Sequence, residues 1–205
     1  PHYLVTHNER FKKLVFEENS FPFDKDGRSI SIRFFDYDDP DNNEFVITNQ
    51  WVYPQAHGGK RLDIVLLING FPVAIGEMKS PVRPSISWVD GAEDILKYEK
   101  SIPQMFVTNI FNFATDGKSY RYGSIGAPVT LWGPWYAGIA HEEGDFLKVQ
   151  NSFSSMLRHE VILDLFRYFT LFSTDKHNRK TKIVCRYQQF EGANLIGNRV
   201  KAGSP

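Results

Sequence analysis

Residues 61–80 read RLDIVLLINGFPVAIGEMKS, and they constrain the fold most because they place charges inside an apolar hairpin. Two apolar runs flank an Asn-Gly pair, which is typical of a tight turn between antiparallel strands. Asp63 stands near the start of the first run, and Glu77 and Lys79 stand at the end of the second. Buried strands that deliver these side chains predict a ligand or a partner that balances their charge.

The length of the hairpin loop decides which side chains face each other. With a two-residue Asn-Gly turn, Asp63 lies opposite Gly76, and Glu77 points to the other face of the sheet. With a three-residue loop that includes Phe71, Asp63 lies directly opposite Glu77, and Lys79 follows two positions later on the same face. The sequence leaves both registers open.

The three-residue register gathers two carboxylates and an ammonium at one end of a sheet face. Two close carboxylates repel each other and resist desolvation unless a cation lies between them, and their oxygens suit Mg²⁺ or Mn²⁺. A lysine beside such a metal can hold a water or stabilise charge that develops on a phosphate. This register therefore predicts a site for phosphodiester hydrolysis. The alternative is that the three groups are solvated charges at strand ends.

The order of predicted elements favours an α/β or α+β domain with a mixed central β-sheet flanked by helices. Strands are predicted over residues 29–37 and 44–55, in the hairpin, and on both sides of a turn within 105–125. Helices are predicted over residues 8–18, about 90–100 within the stretch 87–102, and 154–172, and a strand followed by a helix over 182–205. Residues 56–61 are predicted as a flexible turn and 126–145 as mostly irregular.

Composition limits the function classes. The 24 basic and 24 acidic residues give zero net charge, which excludes a global basic field, so any contact with nucleic acid must be local. The single cysteine, Cys185, excludes an internal disulfide and agrees with a reducing compartment. No run approaches the roughly 20 apolar residues of a membrane span. We expect a cytoplasmic protein without a membrane partner.

An Asp, a hairpin and then Glu-x-Lys is the pattern of the PD-(D/E)xK nuclease superfamily, and here it is Asp63 followed by EMK at 77–79. Leu62 stands where that family has a proline. NEFVITNQWVYP, DIVLLINGFPVAIGEMKSP and YEKSIPQMFVTNIFNFATDGKSYRYGS resemble, in that order, the nuclease region of the restriction subunit of type I restriction enzymes. The resemblance covers residues 6–125. It implies a restriction-endonuclease-like fold and Mg²⁺-dependent cleavage of double-stranded DNA, with Mn²⁺ as an alternative ion.

The resemblance also implies roles for single residues. Asp63, Glu77 and the backbone carbonyl of Met78 are expected to bind the metal, and Lys79 is expected to be the catalytic lysine. Related nucleases have a Gln-x-x-x-Tyr motif on the following helix that contacts DNA. The expected DNA-binding residues here are Tyr98, Asp94, which replaces the Gln, and Lys60 and Arg61 in the loop before the hairpin. Helix packing for Tyr98 and ordinary solvated charge for Lys60 and Arg61 are the alternatives.

The end of the chain resembles a different unit. KIVCRYQQFEGA is similar to the segment that enters the ATP-dependent DNA-translocating motor of the same subunit. Within it, four residues resemble the adenine-recognising motif of superfamily 2 motors: Arg186, Tyr187, Gln188 and Gln189. The chain has no phosphate-binding loop, so ATP is expected as a cofactor only in the full-length subunit.

The expected organisation is an endonuclease domain over 1–172, a connector over 173–181 and the start of the motor domain over 182–205. The chain begins without Met, and we expect that the family's first helix, which carries an acidic residue, is missing; Glu9 is a weak substitute. The expected partners are DNA and the methylation and specificity subunits, in a bacterium or archaeon. Two alternatives remain: a non-catalytic coupling domain with this fold, and the nuclease of another helicase–nuclease system.

Overall fold

The computed structural model describes residues 2–16, 23–25, 28–30, 33–54, 59–135 and 146–203. The helices in this part of the chain are α1 (His2–Phe16), α2 (Trp88–Ser101), α3 (Phe146–Met156), α4 (His159–Arg167) and α5 (Tyr187–Lys201). The strands are β1 (Phe23–Lys25), β2 (Arg28–Ile30), β3 (Phe45–Tyr53), β4 (Lys60–Ile68), β5 (Phe71–Met78), β6 (Phe111–Thr115), β7 (Tyr120–Gly123), β8 (Thr170–Thr174) and β9 (Lys180–Val184).

One mixed sheet contains strands β3 to β7 in the order β3-β4-β5-β6-β7. Strands β5 and β6 run parallel, and the other neighbours run antiparallel. Helix α2 makes the crossover between the two parallel strands and packs on both of them, as such a connection requires. The predicted fold class, a mixed α/β sheet flanked by helices, is confirmed.

Apolar side chains cover both faces of this sheet. The face that we call the α2 face carries Val65, Leu67 and Ile75, which pack with Ala92 and Ile95 of α2. The opposite face packs against α1, α3 and α4 through these buried residues: Phe11, Val15, Leu66, Ile68, Phe111, Phe113, Met156, Ile162 and Leu165. Since side chains alternate along a strand, Asp63 shares the α2 face with Val65, and Glu77 shares it with Ile75. Beyond Asp63 the alternation changes, because Leu62 also packs on the α2 face.

The β4–β5 hairpin closes with a two-residue turn. Ile68 pairs with Phe71, and the turn residues Asn69 and Gly70 have φ angles of 50° and 82°. Positive φ at both positions matches the right-handed twist of the strands, and Asn and Gly are the residues that adopt it most readily. The turn is therefore the shorter of the two that the sequence left open.

A β-bulge nevertheless gives the hairpin the alignment of the longer loop. The ladder shifts by one residue next to Leu67, and beyond the shift Ile64 pairs with Gly76. At the next position, Asp63 lies opposite Glu77, and the backbone N of Asp63 is 3.4 Å from Oε1 of Glu77. The bulge thus brings both carboxylates onto the α2 face.

The single helix predicted over residues 154–172 is wrong, because α3 ends at Met156 and β8 begins at Thr170. Arg158 has extended backbone angles (φ −62°, ψ 141°), which interrupt the helix and start α4. The β-branched threonines at both ends of β8 suit a strand better than a helix. No helix in the described part of the chain is long and apolar enough to cross a membrane.

Residues 173–181, predicted as a polar connector, form the turn and the adjoining strand ends of a β8–β9 hairpin. Their polar composition is that of a tight turn, since Oδ1 of Asp175 accepts hydrogen bonds from the backbone N of His177 and of Arg179. Lys182 of β9 is buried, and α1 packs on this strand. The domain boundary placed in this segment stays a prediction.

Other elements differ from the prediction near the N-terminus. Helix α1 begins at His2, whereas the sequence predicted a start at residue 8. Asn8 of this helix donates from Nδ2 to the carbonyl oxygen of Asn109 at 2.8 Å. Glu9 pairs with Lys180 of β9. The strand predicted over 29–37 is wrong beyond residue 33, where the chain is irregular. Parts of predicted elements at 17–18, 31–32, 55–58, 136–145 and 204–205 lie outside the described residues.

Candidate active site

Both oxygens of the Asp63 carboxylate are held by hydrogen bonds. Oδ2 accepts from the backbone N of Met78 at 3.0 Å, across the β4–β5 pair. Oδ1 accepts from Nε2 of Gln50 at 3.0 Å, across the β3–β4 pair. Neighbours on two different strands therefore fix the orientation of this carboxylate, and each oxygen keeps a second lone pair for another ligand.

Glu77 lies at the buried end of β5, with 3% of its surface exposed. Burial, and next the negative charge of Asp63, raise the pKa of Glu77 to about 7. The two acids thus form a pair whose full ionisation is unfavourable without a positive charge nearby. Such a pair matches the electrostatics of a cation site.

Lys79 follows the last residue of β5, where its backbone N donates to the carbonyl of Thr115 at 2.8 Å. Its Nζ lies 2.7 Å from Oδ2 of Asp94 and 3.7 Å from Oε2 of Glu77. Burial lowers the pKa of Lys79, but the hydrogen bond and charge of Asp94 outweigh it and leave the pKa above its usual value. The lysine is therefore held as an ammonium.

Helix α2 lies close enough to the sheet to supply Asp94 because of a glycine. A Cβ on Gly91 would lie 3.3 Å from the Cβ atoms of both Glu77 and Ala114. Asp94 is three residues further along the helix, so it lies on the same side. The helix start is fixed as well, since Oδ2 of Asp116 accepts from the first helical N–H. Asp116, which lies in the turn predicted within residues 105–125, thus also orients α2.

Tyr98 and Lys97 complete the polar surface around the site. The Tyr98 hydroxyl donates a hydrogen bond to Glu77, and burial, and next the charge of Glu77, raise the pKa of Tyr98 to about 12. Nζ of Lys97 lies 2.8 Å from Oδ1 of Asp94, so Asp94 bridges two lysines. The structure thus places Tyr98 and Asp94 beside the predicted catalytic residues, and their contact with DNA stays a prediction.

Lys60 and Arg61 were expected in a loop, but both lie in β4, where they pair with Tyr53 and Val52. That expectation is wrong because β4 begins one residue after Gly59 and continues without interruption. Leu62 packs on the α2 face with Trp51 and Tyr53, and Lys60 lies opposite Tyr53, so Lys60 is on that face. Arg61 is exposed and points to the opposite face. Of the two, Lys60 is on the face of the candidate site.

The donor set suits a hard divalent cation. Carboxylate and carbonyl oxygens are the ligands that Mg²⁺ prefers, and Mg²⁺ commonly keeps several waters and uses few protein ligands. Asp63 and Glu77 supply two carboxylates, and Met78 at the exposed end of β5 supplies a backbone carbonyl beside them. Within the described ranges, no cluster of three or more His, Cys, Asp or Glu side chains could hold a metal. The residues therefore fit Mg²⁺ or Mn²⁺ with two carboxylate ligands.

The residues that resemble the adenine motif lie at the start of α5. The backbone N of Arg186 donates to Oε1 of Gln189 at 2.8 Å, which caps the helix. The ring of Tyr187 packs 5.2 Å from that of Trp135, and Gln188 is exposed. These contacts give Gln189 and Tyr187 structural roles, and adenine recognition stays a prediction.

Two residues of this site, Gln50 and Lys97, were not predicted from the sequence. Lys97 had a weak signal, because acid and base three residues apart on a helix often pair. Gln50 had no local signal, because its role depends on the register between β3 and β4. In the structure Gln50 hydrogen-bonds to Asp63, and Lys97 pairs with Asp94.

A family model described as Type I restriction enzyme R protein N terminus matches residues 2–128, more than half of the chain. The chain belongs to this family. It is 29% identical over 198 residues to the type I restriction enzyme HindI endonuclease subunit of Haemophilus influenzae, a match that covers 93% of the chain and 19% of that subunit. It is 27% identical over 197 residues to the "Putative type I restriction enzyme MjaIXP endonuclease subunit" of Methanocaldococcus jannaschii, covering 87% and 18%.

Membership in the type I restriction enzyme R protein N-terminus family confirms the resemblance that the hairpin and its flanking segments indicated. The matched residues 2–128 contain every residue described above at the carboxylate pair. The chain spans about a fifth of the length of the curated relatives it matches.

Proposed function

We propose that this chain is the Mg²⁺-dependent DNA endonuclease part of the restriction subunit of a type I restriction–modification enzyme. One observation carries the proposal: Asp63, Glu77 and Lys79 converge on one sheet face, with Lys79 Nζ 3.7 Å from Glu77 Oε2 and Asp63 N 3.4 Å from Glu77 Oε1. The reaction is hydrolysis of a phosphodiester bond in double-stranded DNA. Type I endonuclease subunits among the relatives support the same reaction.

Each residue has a role in the proposed mechanism. Asp63, Glu77 and the Met78 carbonyl would hold the metal, which when bound supplies Lewis-acid activation of water and of the phosphate. Lys79 would hydrogen-bond to phosphate oxygen and stabilise the charge that develops there, since Asp94 keeps its Nζ protonated. Tyr98, and Asp94 through Lys79, would orient the DNA strand.

The proposal extends to a whole subunit of the relatives' length, of which this chain matches about a fifth. Cleavage would be coupled to ATP-driven translocation by a motor that begins near residue 182, and methylation and specificity subunits would be its partners. The zero net charge supports this arrangement, because a domain without a basic field depends on partners to bring it DNA. Base recognition would come from the specificity subunit.

The decisive experiment uses the full-length subunit assembled with its methylation and specificity partners. DNA cleavage and ATP hydrolysis are measured together for wild type, Lys79→Ala and the control Lys100→Ala, which changes an exposed lysine of α2. We expect Lys79→Ala to abolish cleavage and keep ATP hydrolysis, and the control to keep both. Unchanged cleavage in Lys79→Ala would make Lys79 a structural charge and overturn the assignment.

A binding experiment separates a nuclease from a non-catalytic coupling domain of the same fold. Mn²⁺ is titrated into the protein without DNA, and free Mn²⁺ is followed by electron paramagnetic resonance. We expect binding that disappears in Asp63→Ala while circular dichroism shows an intact fold. Failure of the wild type to bind Mn²⁺ would favour the coupling domain.

A further inference from the structure

We propose that Gln50 is a positioning residue that sets the orientation of Asp63 for metal binding. The inference rests on the proposed function, because it assigns Gln50 a role at the same metal site. Gln50 does not replace a ligand. It acts on the ligand Asp63 from the neighbouring strand, through the 3.0 Å hydrogen bond from Nε2 to Oδ1.

The backbone of Gln50 has an unusual conformation for its place. It lies inside the nine-residue strand β3, yet its φ is +53°. Asn49 pairs with Ile64 and Trp51 pairs with Leu62, so the ladder is regular on both sides of the residue that faces Asp63. A non-glycine residue with positive φ inside a strand is rare and strained, and such residues concentrate at functional sites.

The left-handed residue lies where β3 changes face. Phe45 packs on the face opposite α2, whereas Trp51 and Tyr53, which follow Gln50, pack on the α2 face. At this point the side chain of Gln50 donates to Oδ1 of Asp63, while the N–H of Met78 donates to Oδ2. A carboxylate fixed at both oxygens presents its remaining lone pairs in one direction.

The chemistry of the amide suits this role. A lysine or arginine at the same place would neutralise the carboxylate and compete with a cation for it. The amide of Gln50 is neutral, so it orients Asp63 and leaves the negative charge for the metal. Partners that hydrogen-bond to metal ligands in this way commonly determine metal affinity by 10- to 100-fold.

The test separates the amide from the backbone. Gln50→Gly removes the side chain and accepts positive φ without strain, so the melting temperature of the metal-free protein should stay equal or rise. Mn²⁺ affinity, measured by electron paramagnetic resonance without DNA, should fall about 10- to 100-fold. The matched control is Asn49→Gly, the neighbouring exposed residue of β3, for which we expect unchanged Mn²⁺ affinity.

Each other outcome has a defined meaning. If Gln50→Gly binds Mn²⁺ like wild type while Asp63→Ala does not bind, the Gln50 proposal is overturned and the metal site stands. If the melting temperature and the affinity fall together, Gln50 is a structural residue and the proposal is overturned. If wild type and Asp63→Ala bind Mn²⁺ equally, or neither binds it, the proposed metal site itself fails.

Discussion

Nζ of Lys79 lies 2.7 Å from Oδ2 of Asp94, across the gap between β5 and α2. The sheet therefore delivers the lysine, and the helix determines where its ammonium points. Asp94 stands where related nucleases have Gln, so a carboxylate here takes the place of an amide beside the site. Two hydrogen bonds, from Lys79 and from Lys97, keep the pKa of Asp94 below its usual value even though burial raises it.

Asp94→Asn should lower DNA cleavage by the assembled enzyme about 10- to 100-fold, because the lysine loses the charge that holds it in place. Mn²⁺ affinity should change little, since Asp94 is not a metal ligand. The control is Glu93→Gln, the exposed acid one position earlier on α2, which should cleave like wild type. Equal cleavage by both variants would show that Asp94 does not position Lys79.

Gly76 precedes Glu77, and a Cβ added to it would lie 2.1 Å from Cζ of Phe113. Gly76→Ala should therefore destabilise the protein by about 1–3 kcal/mol, because the ring has to move within a filled core. Phe113→Leu removes the obstructing ring atoms. Urea unfolding of both single variants and the double variant measures the coupling. We expect the double variant to be more stable than the sum of the two losses predicts, and strict additivity would contradict the ring contact.

The hairpin shows what the sequence could predict and where it stopped. Its apolar runs, its turn and the charges at Asp63, Glu77 and Lys79 are local patterns, and they indicated both the sheet and the candidate site. Register is not local. The sequence offered two alternatives, whereas the chain combines the short turn with a bulge that realigns the strands. Pro72, which pairs with Leu67 at the shift, is the local hint of that bulge, because proline inside a strand often marks one.

The errors elsewhere have the same origin. Residues 154–172 are apolar throughout, and an apolar run does not reveal where a helix ends and a strand begins. Gln50 was missed because it acts on Asp63 of another strand, and Lys97 was missed because its pairing with Asp94 gave only a weak local signal. The spacing of the charges left open whether they form a metal site or are solvated, and the family resemblance favoured the metal site of a nuclease.

Glu99 on the buried side of α2 gives the protein a pH dependence of stability. Its oxygens accept from Asn112 Nδ2 at 3.1 Å and from Gly126 N at 2.9 Å. Burial raises its pKa from 4.5 to about 7, although the charges of Lys182 and Lys100 act in the opposite direction. Between these pH values the folded state keeps a proton that the unfolded state has released, so stability falls as pH rises.

Glu99→Gln should remove this part of the pH dependence. The free energy of unfolding of wild type relative to the variant should fall by about 3 kcal/mol between pH 4 and pH 8, because each pKa unit corresponds to about 1.4 kcal/mol. Urea unfolding at several pH values measures it. Glu93→Gln is the exposed control, and its free energy of unfolding should change with pH as that of wild type does. Parallel curves for wild type and Glu99→Gln would show that Glu99 has an ordinary pKa in the folded state.

Lys60 and Arg61 are neighbours in sequence but point to opposite faces of β4, and only Lys60, opposite Tyr53, is on the α2 face. Lys60→Ala should therefore reduce the slope of log affinity for double-stranded DNA against log salt concentration by about 1, the loss of one phosphate contact. Arg61→Ala should leave the slope unchanged. Both are measured with the full-length subunit by fluorescence anisotropy. Equal reductions would indicate a diffuse electrostatic effect, and no reduction in either would make Lys60 a solvated charge.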